Sequence, residues 1–141
     1  MGSEMCIRDS GKMGLIAKPK GRPNGITLSP DGKILYVANT DERNIRAYDL
    51  DKKGHASNER VLIADLPGGP DGMKTDVKGN LYITARGIAV YSPQGQPLGR
   101  IAVPENPRNC AFGDADFKTL YLTGRTSLFR VRLETPGAIQ Y

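Results

Sequence analysis

The strongest constraint on this chain is a phrase that it writes three times. Each copy opens on a Pro and a polar step, runs as a short strand, turns, and enters an Ile/Leu-Tyr-aliphatic core. The first copy is Pro23-Asn24-Gly25-Ile26, leading into Ser29-Pro30-Asp31-Gly32-Lys33-Ile34-Leu35-Tyr36-Val37. The second is Pro70-Asp71-Gly72-Met73, leading into Lys78-Gly79-Asn80-Leu81-Tyr82-Ile83. The third is Pro107-Arg108-Asn109-Cys110, leading into Asp116-Phe117-Lys118-Thr119-Leu120-Tyr121-Leu122. The opening prolines lie 47 and then 37 residues apart, which brackets the roughly 40–45-residue period of β-propeller blades. Propellers close rings of roughly 4–8 blades, so three copies predict an open arc with uncovered sheet faces.

Within the first copy, residues 25–29 alternate as a half-buried strand does. Asp31-Gly32 is a hairpin signal, because Gly accepts positive φ without steric cost. Residues 34–39 and 45–50 read as the next two strands, with a turn over 41–44. After a polar loop around His55, residues 60–66 supply a fourth. The second copy repeats the plan at 73–77, 81–85, 88–91 and 98–103, and the third at 110–113, 120–123 and 127–133. A tail without a strand pattern follows. No stretch of ten or more residues shows helical periodicity, and Gly and Pro together number 27, as many short strands joined by tight turns require. The fold class is all-β.

Residues 1–10, MGSEMCIRDS, have no strand alternation and no relation to the repeats. They read as a translated sequencing adapter, foreign to the fold. Residues 11–20 then read as the remnant of a preceding blade, with 13–17 as its outer strand. Residues 21–141 read as the C-terminal part of a single propeller domain. A piece of this kind is expected to self-associate through its open blade faces.

The net charge of +5 draws four of its basic residues from the first twenty, and no cluster of Lys and Arg interleaves with aromatics. Nucleic-acid binding is therefore not indicated. Cys6 and Cys110 offer neither a disulfide framework nor a metal spacing, and Cys110 reads as a small buried hydrophobe. No run approaches the ~18 apolar residues of a membrane span, so neither membrane nor nucleic acid is an expected partner. The compartment, cytoplasmic or periplasmic, and the oligomeric state stay open.

Strand starts of successive blades converge on a propeller's central channel. Asn24 and Asp71 occupy the same step of the repeat, and an amide oxygen with a carboxylate suits a hard divalent cation. Asn-Gly and Asp-Gly are also ordinary turn dipeptides, and two oxygens are few for Ca²⁺, which takes about six to eight. Asn109 falls one step out of register, as a channel-lining or supporting residue. Arg86 and Arg125 follow equivalent Tyr-containing strands and can face the channel mouth, or simply solvent. Asp31 reads as a turn cap. His55 has no carboxylate–serine partner in register and reads as a surface residue.

Three stretches, RPNGITLSPDGKILYVANT, GGPDGMKTDVKGNLYITARGIAVYSPQGQPLG and PRNCAFGDADFKTLYLT, make residues 21–133 resemble the C-terminal half of the SMP-30/gluconolactonase/LRE family, which includes regucalcin-like lactonases. The first phrase is shared with 6-phosphogluconolactonase-like propellers. PDGM, a Gly-Asn-Leu-Tyr strand and NCAFG are more specific in combination. The resemblance implies a six-bladed propeller with one divalent cation in the channel, commonly Ca²⁺, held by a Glu, two Asn and the Asp of PDGM. Asn24 matches one Asn and Asp71 the Asp; the Glu and the other Asn have no counterpart after Gly11, so the fragment itself is expected to be inactive. It further implies hydrolysis of sugar lactones, the cation polarising the carbonyl and Asp71 serving as ligand and general base. Two other readings remain open at this level: a non-catalytic propeller binding module, and another propeller hydrolase or strictosidine-synthase-like enzyme.

Overall fold

A computed structural model describes residues 12–139, and all regular structure among them is β-strand. The first sheet takes β1 (Pro23–Leu28), β2 (Ile34–Asn39), β3 (Asn44–Leu50) and β4 (Ala56–Ile63) in chain order. The second takes β5 (Met73–Thr75), β6 (Leu81–Thr84), β7 (Ile88–Tyr91) and β8 (Pro97–Ile101). The third has three strands, β9 (Asn109–Gly113), β10 (Thr119–Thr123) and β11 (Leu128–Arg132). All neighbours are antiparallel, as hairpin connections of this length demand. The repeat seen in the sequence is also the repeat of the ladder: Ile26 pairs with Val37, Met73 with Ile83 and Cys110 with Leu122, in each case the residue after the core Tyr.

One turn device recurs in each copy. Asp31 Oδ1 accepts the Lys33 amide at 3.0 Å, Asp76 Oδ1 the Lys78 amide at 2.9 Å, and Asp116 Oδ1 the Lys118 amide at 3.1 Å. This is the local side-chain-to-backbone turn that Asp favours. Asp31 therefore caps its turn, as its sequence position implied. Asp76 is fully buried, and it also accepts from the Asn80 amide, Asn80 Nδ2 and the Tyr82 hydroxyl. That satisfaction is what makes a buried carboxylate tolerable.

Packing follows from strand parity. Successive side chains of a strand point to opposite faces, and β6 is buried at every position. Leu81 and Ile83 join Tyr36, Ile45, Ile63 and Met73 in the core between the first and second sheets. Tyr82, on the other face, joins Cys110, Phe112, Leu120 and Leu122 between the second and third. The three sheets thus form an arc, each packed on the next. The third sheet's outer face is open, with Leu128 82% exposed beside an apolar recess of about 190 Å³.

Two expectations are corrected. The outer strand of the first sheet begins at Ala56 rather than 60 and ends at Ile63, after which Leu66 turns into the core. Residues 13–17 form no strand; Met13 and Leu15 are exposed, with no ladder beside them among the described residues. The tail forms no strand, as its pattern implied, but it is anchored. Val77 N–H donates to the Pro136 carbonyl and Ala138 N–H to the Thr75 carbonyl, both at 2.9 Å, so the tail returns across the seam between the second and third sheets. Gly137 is required there, since a Cβ would fall 2.1 Å from the Phe112 ring. The adapter-like residues 1–10 lie outside the described residues.

Candidate functional site

The strand starts converge because glycine lets them. A Cβ on Gly25 would stand 2.0 Å from the Asp71 carbonyl oxygen, and one on Gly72 would stand 2.1 Å from Asn109 Oδ1. Gly72 N–H also donates to the Arg108 carbonyl at 2.9 Å, and the Thr84 hydroxyl donates to the Gly72 carbonyl at 2.7 Å. The inner strands β1, β5 and β9 are held side by side at their N-terminal ends. Asn24, Asp71 and Asn109 accordingly line one recess of about 240 Å³, together with Ile26 and Lys74.

Asn24 is oriented by a relay. Its Nδ2 donates to Thr40 Oγ1 at 3.2 Å, and that hydroxyl donates to the Pro70 carbonyl at 2.8 Å. A hydroxyl has one proton. With that proton given to Pro70, Thr40 can only accept, so the amide must present its nitrogen to Thr40 and leave Oδ1 for the recess. Asp71 is half-buried, anchored by its amide to the Thr84 carbonyl at 3.0 Å. Its carboxylate makes no hydrogen bond or ion pair among the described residues. Two hard oxygen donors are therefore available at one place, the donor chemistry that Ca²⁺ or Mg²⁺ takes. Among the described residues no group of three or more His, Cys, Asp and Glu gathers, so these two oxygens form at most part of a coordination shell.

Asn109 is exposed and accepts the Cys110 amide at 2.9 Å with its own Oδ1, while packing over Gly72. Cys110 is buried, and burial pushes its thiol up to about 11, against a small opposing influence of Lys74. It is an inert core residue, as its apolar strand predicted. His55 is exposed, its Nδ1 3.2 Å from Asp51 Oδ2, and it does not line the recess of Asn24, Asp71 and Asn109.

Two further polar recesses continue from the first. One, of about 290 Å³, is lined by Asp71, Thr84, Arg86, Asn106 and Arg108; the next, of about 330 Å³, by Glu105, Asn106, Arg108, Arg125 and Thr126. Arg86 and Arg125 thus stand at one end of the same strand starts, in the β6–β7 and β10–β11 turns. Glu105 is held below the usual carboxylate range by the Thr126 hydroxyl and the Thr126 amide. Sequence reading passed over three residues here. Lys74 carries no repeat signal. Thr40 is visible only through its hydrogen bonds. Arg108 had a signal, since it sits one step after Pro107, as Asn24 and Asp71 follow their prolines.

A family model described as the SMP-30/Gluconolactonase/LRE-like region matches residues 2–126. The chain belongs to this family. A gluconolactonase of Zymomonas mobilis is 39% identical over 144 residues, covering 93% of this chain and 40% of its own length. A pentonolactonase of the archaeon Haloferax volcanii is 34% identical, with 73% of this chain and 38% of its own length covered. The solved structure of a Xanthomonas campestris gluconolactonase superposes with a TM-score of 0.77 at 30% identity, over 89% of this chain and 41% of that one. The chain therefore spans about two fifths of the length of these relatives. The likeness extends to the architecture, which agrees with the expected propeller arc. Among the described residues no helix is long and apolar enough to cross a membrane.

Proposed function

We infer that this chain carries part of the active site of a metal-dependent sugar-lactone hydrolase, with Asn24 Oδ1 and Asp71 as two ligands of one divalent cation, Ca²⁺ for preference. The observation that carries the reading is the Asn24–Thr40–Pro70 relay, which presents an amide oxygen to the recess that also holds the unpartnered Asp71 carboxylate. The lactonase names of the relatives support the substrate class. When bound, the cation supplies Lewis-acid polarisation of the lactone carbonyl. Asp71 accepts a proton from the attacking water as its oxygen adds to the carbonyl carbon. The ring C–O bond then breaks, and the ring oxygen takes up a proton to give the hydroxy acid. Asn24 orients; Thr40 keeps Asn24 in the productive rotamer.

Calcium titration of the chain, read by calorimetry, tests the ligand pair. Binding to the unmodified chain and its loss in Asp71→Ala, with the circular dichroism unchanged, is the expected result. No calcium binding by a folded chain, or equal binding by Asp71→Ala, removes the metal reading and leaves a propeller binding module. In a folded chimera carrying residues 21–133 in place of the matching region of the Zymomonas relative, Asp71→Ala should lower glucono-δ-lactone hydrolysis by roughly 10²–10⁴-fold, the usual worth of a positioned base.

A further inference from the structure

The inner ring of strand starts presents three different chemistries. Asp71 N–H donates to the Thr84 carbonyl, and Arg108 N–H donates to the Thr123 carbonyl at 2.8 Å, at the same point of the ladder. Arg108 is thus the third copy's equivalent of Asn24 and Asp71. Its carbonyl receives the Gly72 amide, so Asp71 and Arg108 are backbone neighbours across the seam, yet their side chains make no ion pair. Arg86 joins Arg108 around one recess, and Arg125 joins it around the next.

Four arginines elsewhere on the surface are held by carboxylates. Arg22 pairs with Asp41, Arg46 with Glu59, Arg60 with Asp49 and Arg132 with Asp116. Arg86, Arg108 and Arg125 have no ion pair within 4.0 Å among the described residues; Arg43, Arg100 and Arg130 share that property, but they line neither of these recesses. Two acids border them, Asp71 in the first recess and Glu105 in the second, and Glu105 turns Oε1 to the Thr126 amide and hydroxyl at 2.9 and 2.7 Å. Arg86 also occupies the left-handed region at φ 52, in a turn completed by Gly87 at φ 88. That conformation costs a side-chain-bearing residue roughly 1–2 kcal/mol. Gly68 makes room for its stem, since a Cβ there would lie 3.1 Å from Arg86 Cγ.

We propose that Arg86, Arg108 and Arg125 form an anion-binding wall beside Asp71 that selects substrates bearing a phosphate or sulfonate group remote from the lactone carbonyl. A guanidinium fork matches such oxyanions in a bidentate way. The shared lining of the recesses places an anion held by Arg108 next to the carboxylate that receives the reacting end. Calling that anion part of the substrate rests on the lactonase reading; the wall's affinity for it does not.

The test is calorimetric titration of the metal-stripped chain with 6-phosphogluconate and, separately, with gluconate, which has the carboxylate alone. The expected result is binding of 6-phosphogluconate tighter by roughly tenfold or more, the worth of one charge-assisted hydrogen bond. That preference should weaken with added salt and disappear in Arg86→Gln/Arg108→Gln. The lysine pair R86K/R108K keeps the charge and loses the fork, and should retain only part of the preference. Arg43→Gln, in the equivalent turn of the first sheet but lining neither recess, should keep all of it. Equal binding of gluconate would show that the wall reads a product carboxylate and overturn the proposal, as would a preference that survives the double substitution. Calcium binding lost in Asp71→Asn with the phosphate preference intact separates the two sites. Absence of calcium binding in the unmodified chain would remove the metal reading and leave the wall standing.

Discussion

Replacing Gly25 with Ala tests the seam that assembles the site. The added Cβ would lie 2.0 Å from the Asp71 carbonyl oxygen and 3.1 Å from Gly72 Cα, where ordinary contact begins at 3.4 Å. The obstacle is main chain, which cannot swing aside as a side-chain tip can. β1 and the start of β5 must therefore part by ~1.4 Å along that line. Overpacking of this kind costs about 1–3 kcal/mol, while the stiffer unfolded chain returns roughly 0.4–1 kcal/mol. The clash wins, leaving a net loss of about 1–2 kcal/mol. For a chain of this size that is a fall in Tm of roughly 2–8 °C. Gly32→Ala is the contrast: its Cβ meets open space, but φ is +74°, so it costs local strain and leaves the seam intact. Thermal unfolding by circular dichroism with parallel calcium titration reads both effects. Gly25→Ala should lower Tm and calcium affinity together, and Gly32→Ala only Tm. A Gly25→Ala chain as stable as its parent would refute the close approach of the two strand starts.

Acid should weaken the third sheet. The Arg132 guanidinium holds Asp116 well below the usual carboxylate range, and the Thr119 and Tyr121 hydroxyls lower Asp114. Folded-state values below the unfolded ones contribute stability that is complete above about pH 4 and is lost as pH falls through the folded values. Urea midpoints should therefore drop below that pH, and Asp116→Asn should flatten the drop; superimposable acid limbs would exclude the pair. In a Cys6→Ser background, a thiol reagent at mildly alkaline pH should label Cys110 only in denaturant, because burial pushes the thiol up to about 11. Rapid labelling of the native chain would mean that β9 opens readily.

Most of the fold was legible because the blade phrase states both its strands and its period. What escaped detection has a common cause. The first half of β4 is solvent-exposed, and Ser57 and Asn58 carry no apolar alternation, so only backbone hydrogen bonds define it. The return of the tail depends on Gly137 meeting the Phe112 ring, a contact between residues that no local pattern links. Thr40 is the same case at the site, since a hydroxyl becomes an orienting group only through what it faces. Arg108 was missed for a different reason: a search for oxygen donors passes over a cation in the same register.

The contrast between the two positions of the phrase explains which residue may vary. The polar step, Asn24, Asp71 or Arg108, faces the recesses, where nothing packs tightly against it and chemistry decides its identity. The next residue faces the following copy, and its size is limited by that neighbour: Gly25 by the Asp71 carbonyl, Gly72 by Asn109. Asn109, at the same position in the third copy, is exposed and carries a full side chain. Its side chain in turn fills the space that Gly72 leaves. The glycine requirement is therefore directional, each copy being shaped by the one after it. The variable polar step then sets the ring's chemistry without disturbing the seam.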